Sequence, residues 1–247
     1  MFDLSGRVAL VTGAGQGMGL GVARALARQG AKVAINDYYG ERAEAAVAAL
    51  RGEGLQAMAA PGDITQAPVR EAIVDAARTA WGEVDILVNN AGVPPGMPNS
   101  LRQLKDLKDE DFEIQLDLNL RAIVGLTRLV VDGMCERGWG RIVIVSSEFW
   151  RIGMAMGLSN YAAAKAAALG FMRHLAHEVG RHGVTANAVS LGAMNNFGYD
   201  EIARRTTAVG RAGTPDDVGA AVVYLASAEA AWYTGQVMAL NGGSLTA

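Results

Sequence analysis

Short, almost wholly apolar runs alternate with longer helical patterns along the whole chain of 247 residues. Seven runs predict β-strands, at residues 7–12, 32–37, 55–60, 84–90, 141–147, 184–190 and 236–240. Apolar residues at helical spacing predict helices at 18–30, 41–54, 67–82, 109–137 and 159–181. Strands that are apolar on both faces are typical of a parallel sheet covered by crossover helices. We therefore expect an α/β fold, a doubly wound seven-stranded parallel sheet with helices on both faces, formed as a single domain by residues 1–247.

The composition argues against several classes of function. Hydrophobic residues make up 51% of the chain, the net charge is −3, and there is no long run of like charges. Such a chain buries a large core and offers no basic surface to nucleic acid or to an anionic membrane. Cys135 is the single cysteine, so neither an intramolecular disulfide nor a thiolate metal cluster can form. With no signal peptide at the N-terminus and no apolar run of 18 residues, we expect a cytoplasmic location and no membrane partner.

The first predicted strand runs into the glycine-rich stretch "TGAGQGMGLG". Glycines between a strand and a helix let the backbone approach a pyrophosphate, whose charge then faces the N–H groups of the helix N-terminus. The dinucleotide fingerprint G-x-G-x-x-G fits no register here, whereas T-G-x-x-x-G-x-G fits Thr12, Gly13, Gly17 and Gly19. The alternative is a tight turn without a ligand. The pattern favours a dinucleotide site.

Asp37 ends the second predicted strand, at a position that bears on whether the cofactor is NAD or NADP. Its carboxylate can accept hydrogen bonds from the adenosine ribose hydroxyls and would repel a 2′-phosphate. The nearest cation, Arg42, is expected about one helical turn away. We therefore predict NAD rather than NADP as the cofactor.

The stretch "VSSEFWRIGMAMGLSNYAAAK" carries the candidate acid–base chemistry. Tyr161 and Lys165 lie four residues apart on a predicted helix, and Ser147 ends the fifth strand. A cation one helical turn away favours the phenolate, so Lys165 is expected to lower the pKa of Tyr161. The tyrosine could then exchange a proton with a substrate hydroxyl or carbonyl.

Taken together, these motifs resemble the short-chain dehydrogenase/reductase family, and the resemblance runs from Gly6 to "NGG" at 241–243. It implies a Rossmann-type fold without a catalytic metal, in which Asn119 binds a water linked to the lysine and Ser147 holds the substrate oxygen. It also implies homotetramers. The catalytic candidates are Asn119, Ser147, Tyr161 and Lys165. The cofactor-binding candidates are Gly13, Gln16, Gly17, Met18, Gly19, Asp37, Asp63, Ile64, Asn90, Ala91, Gly92, Tyr161, Lys165, Met194 and Asn196.

The sequence departs from the family pattern around the substrate. The loop 148–160 is one residue longer than usual, with Glu148 in place of a small residue and Trp150 in place of a glycine. Leu191 stands where the family has a proline, and Asn196 where it has a threonine. Both Asn196 and the backbone of Met194 are expected to bond the nicotinamide carboxamide. The candidates for an apolar substrate wall are Phe149, Trp150, Met154, Met156, Met194 and Phe197.

Three functional hypotheses follow. The leading one is an NAD(H)-dependent oxidoreductase that interconverts a secondary alcohol and a ketone. The second is an NADP-dependent reductase of carbonyls or 3-oxoacyl thioesters, and the third is a nucleotide-binding regulator with little catalysis. Arg151, Arg204 and Arg205 are read as solvated surface residues, with an anionic substrate tail as the alternative. The pair His174 and His177 lacks an evident third metal ligand.

Overall fold

The computed structural model describes residues 1–93 and 102–246 and contains one seven-stranded parallel sheet. The strand order is β3-β2-β1-β4-β5-β6-β7. The strands are β1 Val8–Val11, β2 Lys32–Ile35, β3 Ala57–Ala59, β4 Ile86–Asn89, β5 Gly140–Ser147, β6 Val184–Leu191 and β7 Val237–Leu240. The predicted fold class is confirmed, and β3 is shorter than the apolar run predicted at residues 55–60.

Helices cover both faces of the sheet. They are α1 Gly17–Arg28, α2 Gly40–Gly52, α3 Ala67–Trp81, α4 Asp109–Leu116, α5 Ala122–Glu136, α6 Ser159–Val179, α7 Asp200–Thr206 and α8 Pro215–Ala226. Successive residues of a pleated strand point to opposite faces of the sheet, so the strands contribute side chains to two separate hydrophobic cores, one on each face. Val143 and Val145 pack with α1, α2 and α8, whereas Ile142 and Ile144 pack with α3, α5 and α6.

The long helix predicted at 109–137 is interrupted by one π-helical turn, Asp117–Arg121. Such a turn shifts the hydrogen-bond pattern by one residue and often marks a functional site. The sequence predicted neither this turn nor helices α7 and α8. Among the described residues, no helix combines the length and the apolar character needed to cross a membrane.

Candidate active site

The carboxyl ends of the strands open into a cleft of about 950 Å³. In a doubly wound sheet this edge is the usual place for a ligand, because the strand order reverses there. All fifteen cofactor-binding candidates and Ser147 line the cleft. Asn119 is the exception: it is fully buried behind the wall.

The glycine loop joins β1 to α1 and forms one wall of the cleft. Gln16, which precedes the helix, makes no side-chain cap, and the first turn of α1 holds no acidic residue. A Cβ on Gly19 would overlap the carbonyl oxygen of Gly13 and the amide of Asn90. The uncapped N-terminus of a helix, reached by close-packed glycine backbone, suits a pyrophosphate.

Thr12 ties this loop to the end of β4. Its hydroxyl accepts hydrogen bonds from the backbone N–H groups of Asn90 (3.0 Å) and Ala91 (3.1 Å). The Asn90 side chain donates in return to the carbonyls of Thr12 (2.8 Å) and Gly13 (3.0 Å). The two strand ends are therefore held as one rigid surface.

The adenosine end of the cleft is built around Asp37. Its buried carboxylate accepts from the backbone N–H groups of Gly15 (3.1 Å) and Tyr39 (3.0 Å). Arg42 lies in the first turn of α2, as expected, with its guanidinium carbon 4.3 Å from the centroid of the Tyr39 ring.

Asp63 and Ile64 follow β3 at the same end of the cleft. Asp63 accepts from the backbone N–H (2.9 Å) and the hydroxyl (2.7 Å) of Thr65, which fixes the turn. Ile64 is buried. The turn therefore presents one carboxylate and one apolar side chain together.

Ser147 and Tyr161 meet in the middle of the cleft, and their side chains share a hydrogen bond. That bond lowers the pKa of the phenol, but burial acts more strongly and raises it to about 12, with Tyr199 adding to the rise. Desolvation disfavours the charged phenolate, which explains the direction. In the protein alone, therefore, Tyr161 is held as the neutral acid.

Lys165 is 3% exposed and donates to the carbonyl of Val145 (2.9 Å). Its ammonium nitrogen lies 5.7 Å from the centroid of the Tyr161 ring. Burial lowers the pKa of this lysine to about 8. The prediction that Lys165 lowers the pKa of Tyr161 is therefore wrong for the protein alone, since burial disfavours the charge on both groups.

Asn119 lies in the π-helical turn, next to Gly92. Its amide nitrogen donates to the Gly92 carbonyl (3.3 Å) and to Oε1 of Gln115 (3.0 Å). Its Oδ1 is buried without a partner. A buried carbonyl oxygen without a donor is a natural site for an ordered water.

The turn after β6 supplies Met194 and Asn196. Met194 is buried and forms a parallel bridge with Gly213, while Asn196 is exposed beside the glycine loop. Its amide nitrogen lies 3.6 Å from where a Cβ on Gly17 would be. The turn thus reaches across the cleft to the phosphate side.

Only part of the predicted apolar wall lines the cleft. Phe149, Met156 and Met194 do. Trp150 instead packs against the core under α5 and α6, and Met154 is 55% exposed. The Phe197 side chain lies outside the described residues.

The arginines considered for an anionic substrate are already engaged. Arg151 pairs with Glu148 at 2.6 Å. Arg204 and Arg205 are highly exposed and lie beside Glu201 on α7. None of the three lines the cleft.

Several lining residues were not predicted, notably Gln115 and Tyr199. Gln115 lies one helical turn before Asn119, and that i, i+4 spacing could have identified it. Tyr199 follows the turn after β6 and could be found only from the fold. His174 and His177 are exposed on α6, and no group of three metal-ligating side chains occurs within residues 1–93 and 102–246.

Comparison with known proteins places this geometry in context. Residues 7–205 match the family model described as short chain dehydrogenase. The chain is 39% identical over 248 residues to 3-oxoacyl-acyl-carrier-protein reductase FabG of Vibrio cholerae, covering 98% of each chain. It is 38% identical over 250 residues to short-chain reductase protein NovJ of Streptomyces niveus, covering 96% of this chain and 93% of NovJ.

A similar solved structure is that of a 7α-hydroxysteroid dehydrogenase complexed with NADH and 7-oxo glycochenodeoxycholic acid. The TM-score is 0.91 at 30% identity, over 98% of this chain and 95% of the other.

Proposed function

Because the chain belongs to the short-chain dehydrogenase/reductase family of oxidoreductases, we propose that it uses NAD(H) to interconvert a secondary alcohol and a ketone. The observation that carries this proposal is the hydrogen-bonded pair Ser147 and Tyr161, beside the buried Lys165, in a cleft that also contains the uncapped N-terminus of α1. NAD supplies the hydride chemistry when it is bound.

The side chains of this chain bind the cofactor, orient the substrate and exchange a proton with it. Ser147 orients the substrate oxygen against the hydroxyl of Tyr161, which donates its proton to a carbonyl or accepts one from an alcohol. Lys165 holds the nicotinamide ribose and adds positive charge beside the phenol. Asn119 would hold a water through its buried Oδ1, which connects Lys165 to solvent.

The raised pKa of Tyr161 bears on which proton transfer the protein can start without cofactor. A phenol with a pKa of about 12 is protonated at neutral pH and is ready to act as the acid in carbonyl reduction. Alcohol oxidation needs the phenolate, which requires further positive charge in the cleft. Lys165, with a pKa of about 8, is already mainly an ammonium at neutral pH, so the added charge would come from the oxidised nicotinamide bound beside it.

Tyr161→Phe tests the acid–base role. Turnover of the best substrate in a panel of secondary alcohols, ketones and 3-oxoacyl thioesters should fall about 10²-fold or more, while the NADH Kd changes little. Tyr224→Phe, on α8, is the matched control and should leave both unchanged. Wild-type turnover in Tyr161→Phe would refute the mechanism. Tight NADH binding with no turnover anywhere in the panel would instead favour the nucleotide-binding regulator.

A second candidate is an NADP-dependent reductase of 3-oxoacyl thioesters. The identity with FabG and the position of Arg42 at the adenosine end favour it. Fluorescence titration with NADH and NADPH distinguishes the two candidates. NADH should bind at least about tenfold more tightly than NADPH, which corresponds to a difference in binding free energy of about 1.4 kcal/mol. Tighter binding of NADPH would overturn the choice of NAD.

Asp37→Ser tests the origin of the preference. Without the carboxylate, NADPH should gain affinity relative to NADH, because the repulsion of a 2′-phosphate is removed and Arg42 is available to pair with it. Asp63→Asn is the control at the adenine end and should weaken both cofactors equally. An unchanged ratio in Asp37→Ser would show that Asp37 does not set the preference.

We also propose that residues 1–247 form one cooperative domain that assembles as a homotetramer. A single thermal transition and a light-scattering mass four times that of the 25.8 kDa chain are expected. A dimer or monomer mass would correct the assembly without affecting the chemistry.

A further inference from the structure

Glu148, directly after Ser147, is a charged residue that the proposed chemistry does not use. It is 5% exposed and does not line the cleft. Its Oε2 accepts from Arg151 (Nε 3.1 Å and Nη2 2.6 Å) and from the amide nitrogen of Asn241 (2.9 Å). Its Oε1 is buried without a partner. Burying a carboxylate is costly unless it is paired, so this position needs a physical explanation.

Asn241 directly follows β7 and is itself only 7% exposed. Its amide nitrogen also donates to the Leu245 carbonyl (3.0 Å), and its Oδ1 accepts from the Gly243 N–H (2.9 Å). The C-terminal residues therefore hold Asn241 in one orientation. The bond to Glu148 joins residues 93 positions apart in the chain.

Between these two residues in the sheet lies the end of β6. Gly192 donates to the Leu240 carbonyl (3.0 Å), and a Cβ on Gly192 would lie 2.8 Å from Cα of Asn241. The turn that begins at Gly192 carries Met194 into the cleft. Because Leu191 precedes it, no proline ring restricts this turn.

We infer that Glu148 and Asn241 form a clamp that positions the turn after β6 relative to Ser147. The clamp connects the end of β5, which carries the acid–base side of the cleft, to the end of β7, against which Gly192 packs. Arg151 balances the charge of the carboxylate. Glu148 and Asn241 are both positioning residues, and the inference rests on the function proposed above.

Reversing the polarity of the Glu148–Asn241 bond tests the clamp. Asn241→Asp keeps the acceptor for Gly243, but it removes the donor to the Leu245 carbonyl and places a second carboxylate against Glu148. We expect kcat of the folded enzyme to fall about tenfold, since small misplacements of reacting groups are costly. The double variant Glu148→Gln/Asn241→Asp restores a donor and an acceptor between positions 148 and 241 and should recover the part of kcat lost through that bond, though not the bond to the Leu245 carbonyl. Arg204→Ala, an exposed change on α7, is the control.

Three further measurements separate positioning from folding and from the proposed function. Hydrogen exchange of the amides at 192–196, measured without cofactor, should speed up in Asn241→Asp and slow again in the double variant. The NADH Kd should stay within about threefold of wild type, because the glycine loop, Asp37 and Asp63 are untouched. Thermal unfolding confirms that each variant is folded at the assay temperature.

Wild-type kcat and wild-type hydrogen exchange in Asn241→Asp would overturn the clamp. A double variant that turns over no faster than Asn241→Asp would overturn it too. If Asn241→Asp does not fold, Asn241→Ala takes its place and must show the same loss of kcat. Tyr161→Phe in the same assay separates the two proposals. If Tyr161→Phe is inactive and the clamp variants keep full turnover, the clamp alone fails.

Discussion

Gly92→Ala tests the geometry of the site without removing any functional group. Gly92 follows β4, and its backbone does not have a positive φ, so alanine fits the local conformation. A Cβ there would lie 2.7 Å from the ammonium nitrogen of Lys165 and 3.2 Å from Oδ1 of Asn119. Ordinary contact begins at 3.4 Å, so the lysine nitrogen must move by about 0.7 Å.

That displacement strains the bond from Lys165 to the Val145 carbonyl and shifts the charge beside Tyr161. Misplacement of a catalytic group by about 1 Å can cost about 10²-fold, so we expect kcat to fall about 10- to 100-fold. Because the Cβ displaces the tip of Lys165 and Oδ1 of Asn119 rather than backbone, the variant should stay folded with a slightly lower melting temperature.

The assay is steady-state turnover with the best panel substrate, paired with NADH titration to separate kcat from cofactor binding. Gly170→Ala is the matched control, since Gly170 lies on α6 with Tyr161 and Lys165 and a Cβ there meets nothing within 4 Å. It should stabilise the protein by about 0.5–1 kcal/mol and leave kcat unchanged. Wild-type kcat in Gly92→Ala would refute the assigned position of Lys165. A loss confined to the NADH Kd would assign Gly92 to cofactor binding alone.

Three further predictions concern polar groups. Ser147→Ala should lower kcat about 10²-fold, whereas Ser190→Ala removes a buried hydroxyl without a partner and should be neutral or stabilising in thermal unfolding. Lys165→Met should stabilise the cofactor-free protein at pH 7, because it removes a buried charge. This gain in stability should shrink between pH 8 and 10.5, because Lys165 loses its proton near pH 8 in the folded protein and near pH 10.5 in the unfolded chain. Asp217, bonded to Arg211 and Thr214, has a pKa well below its usual range, so Asp217→Asn should lower the melting temperature at pH 7 and progressively less below pH 4. A pH-independent effect in either titration would contradict the assigned cause.

The alternation of strands and helices could be predicted because its signals are local. An apolar run reports a strand buried on both faces, and apolar residues at helical spacing report a helix that packs on the sheet. The order of the motifs then places their residues at one edge, because parallel strands all end on the same side. All fifteen cofactor-binding candidates and Ser147 therefore line the cleft, whereas Asn119 does not and lining residues such as Gln115 and Tyr199 were not predicted.

Helix interruptions and the turn after β6 were harder to predict. The π-helical turn at Asp117–Arg121 lies within a continuous helical pattern and contains neither proline nor glycine. Helix α7 is only seven residues long, too short for a periodic signal. Trp150 could equally have lined the cleft or the core, since an apolar residue satisfies either environment.

Charge states and long-range pairs were decided by the tertiary structure alone. The Tyr161–Lys165 spacing predicts a lowered phenol pKa, but burial raises it, and burial is a sum over all surrounding elements. The pairing of Glu148 with Asn241 joins residues 93 positions apart, so no local pattern in the sequence indicates it. Sequence alone determined which groups reach the carboxyl edge of the sheet, because strand order and spacing are local properties of the chain. Only the tertiary structure decided the protonation states of these groups and the hydrogen bonds that hold them, because desolvation and pairing depend on residues far apart in sequence.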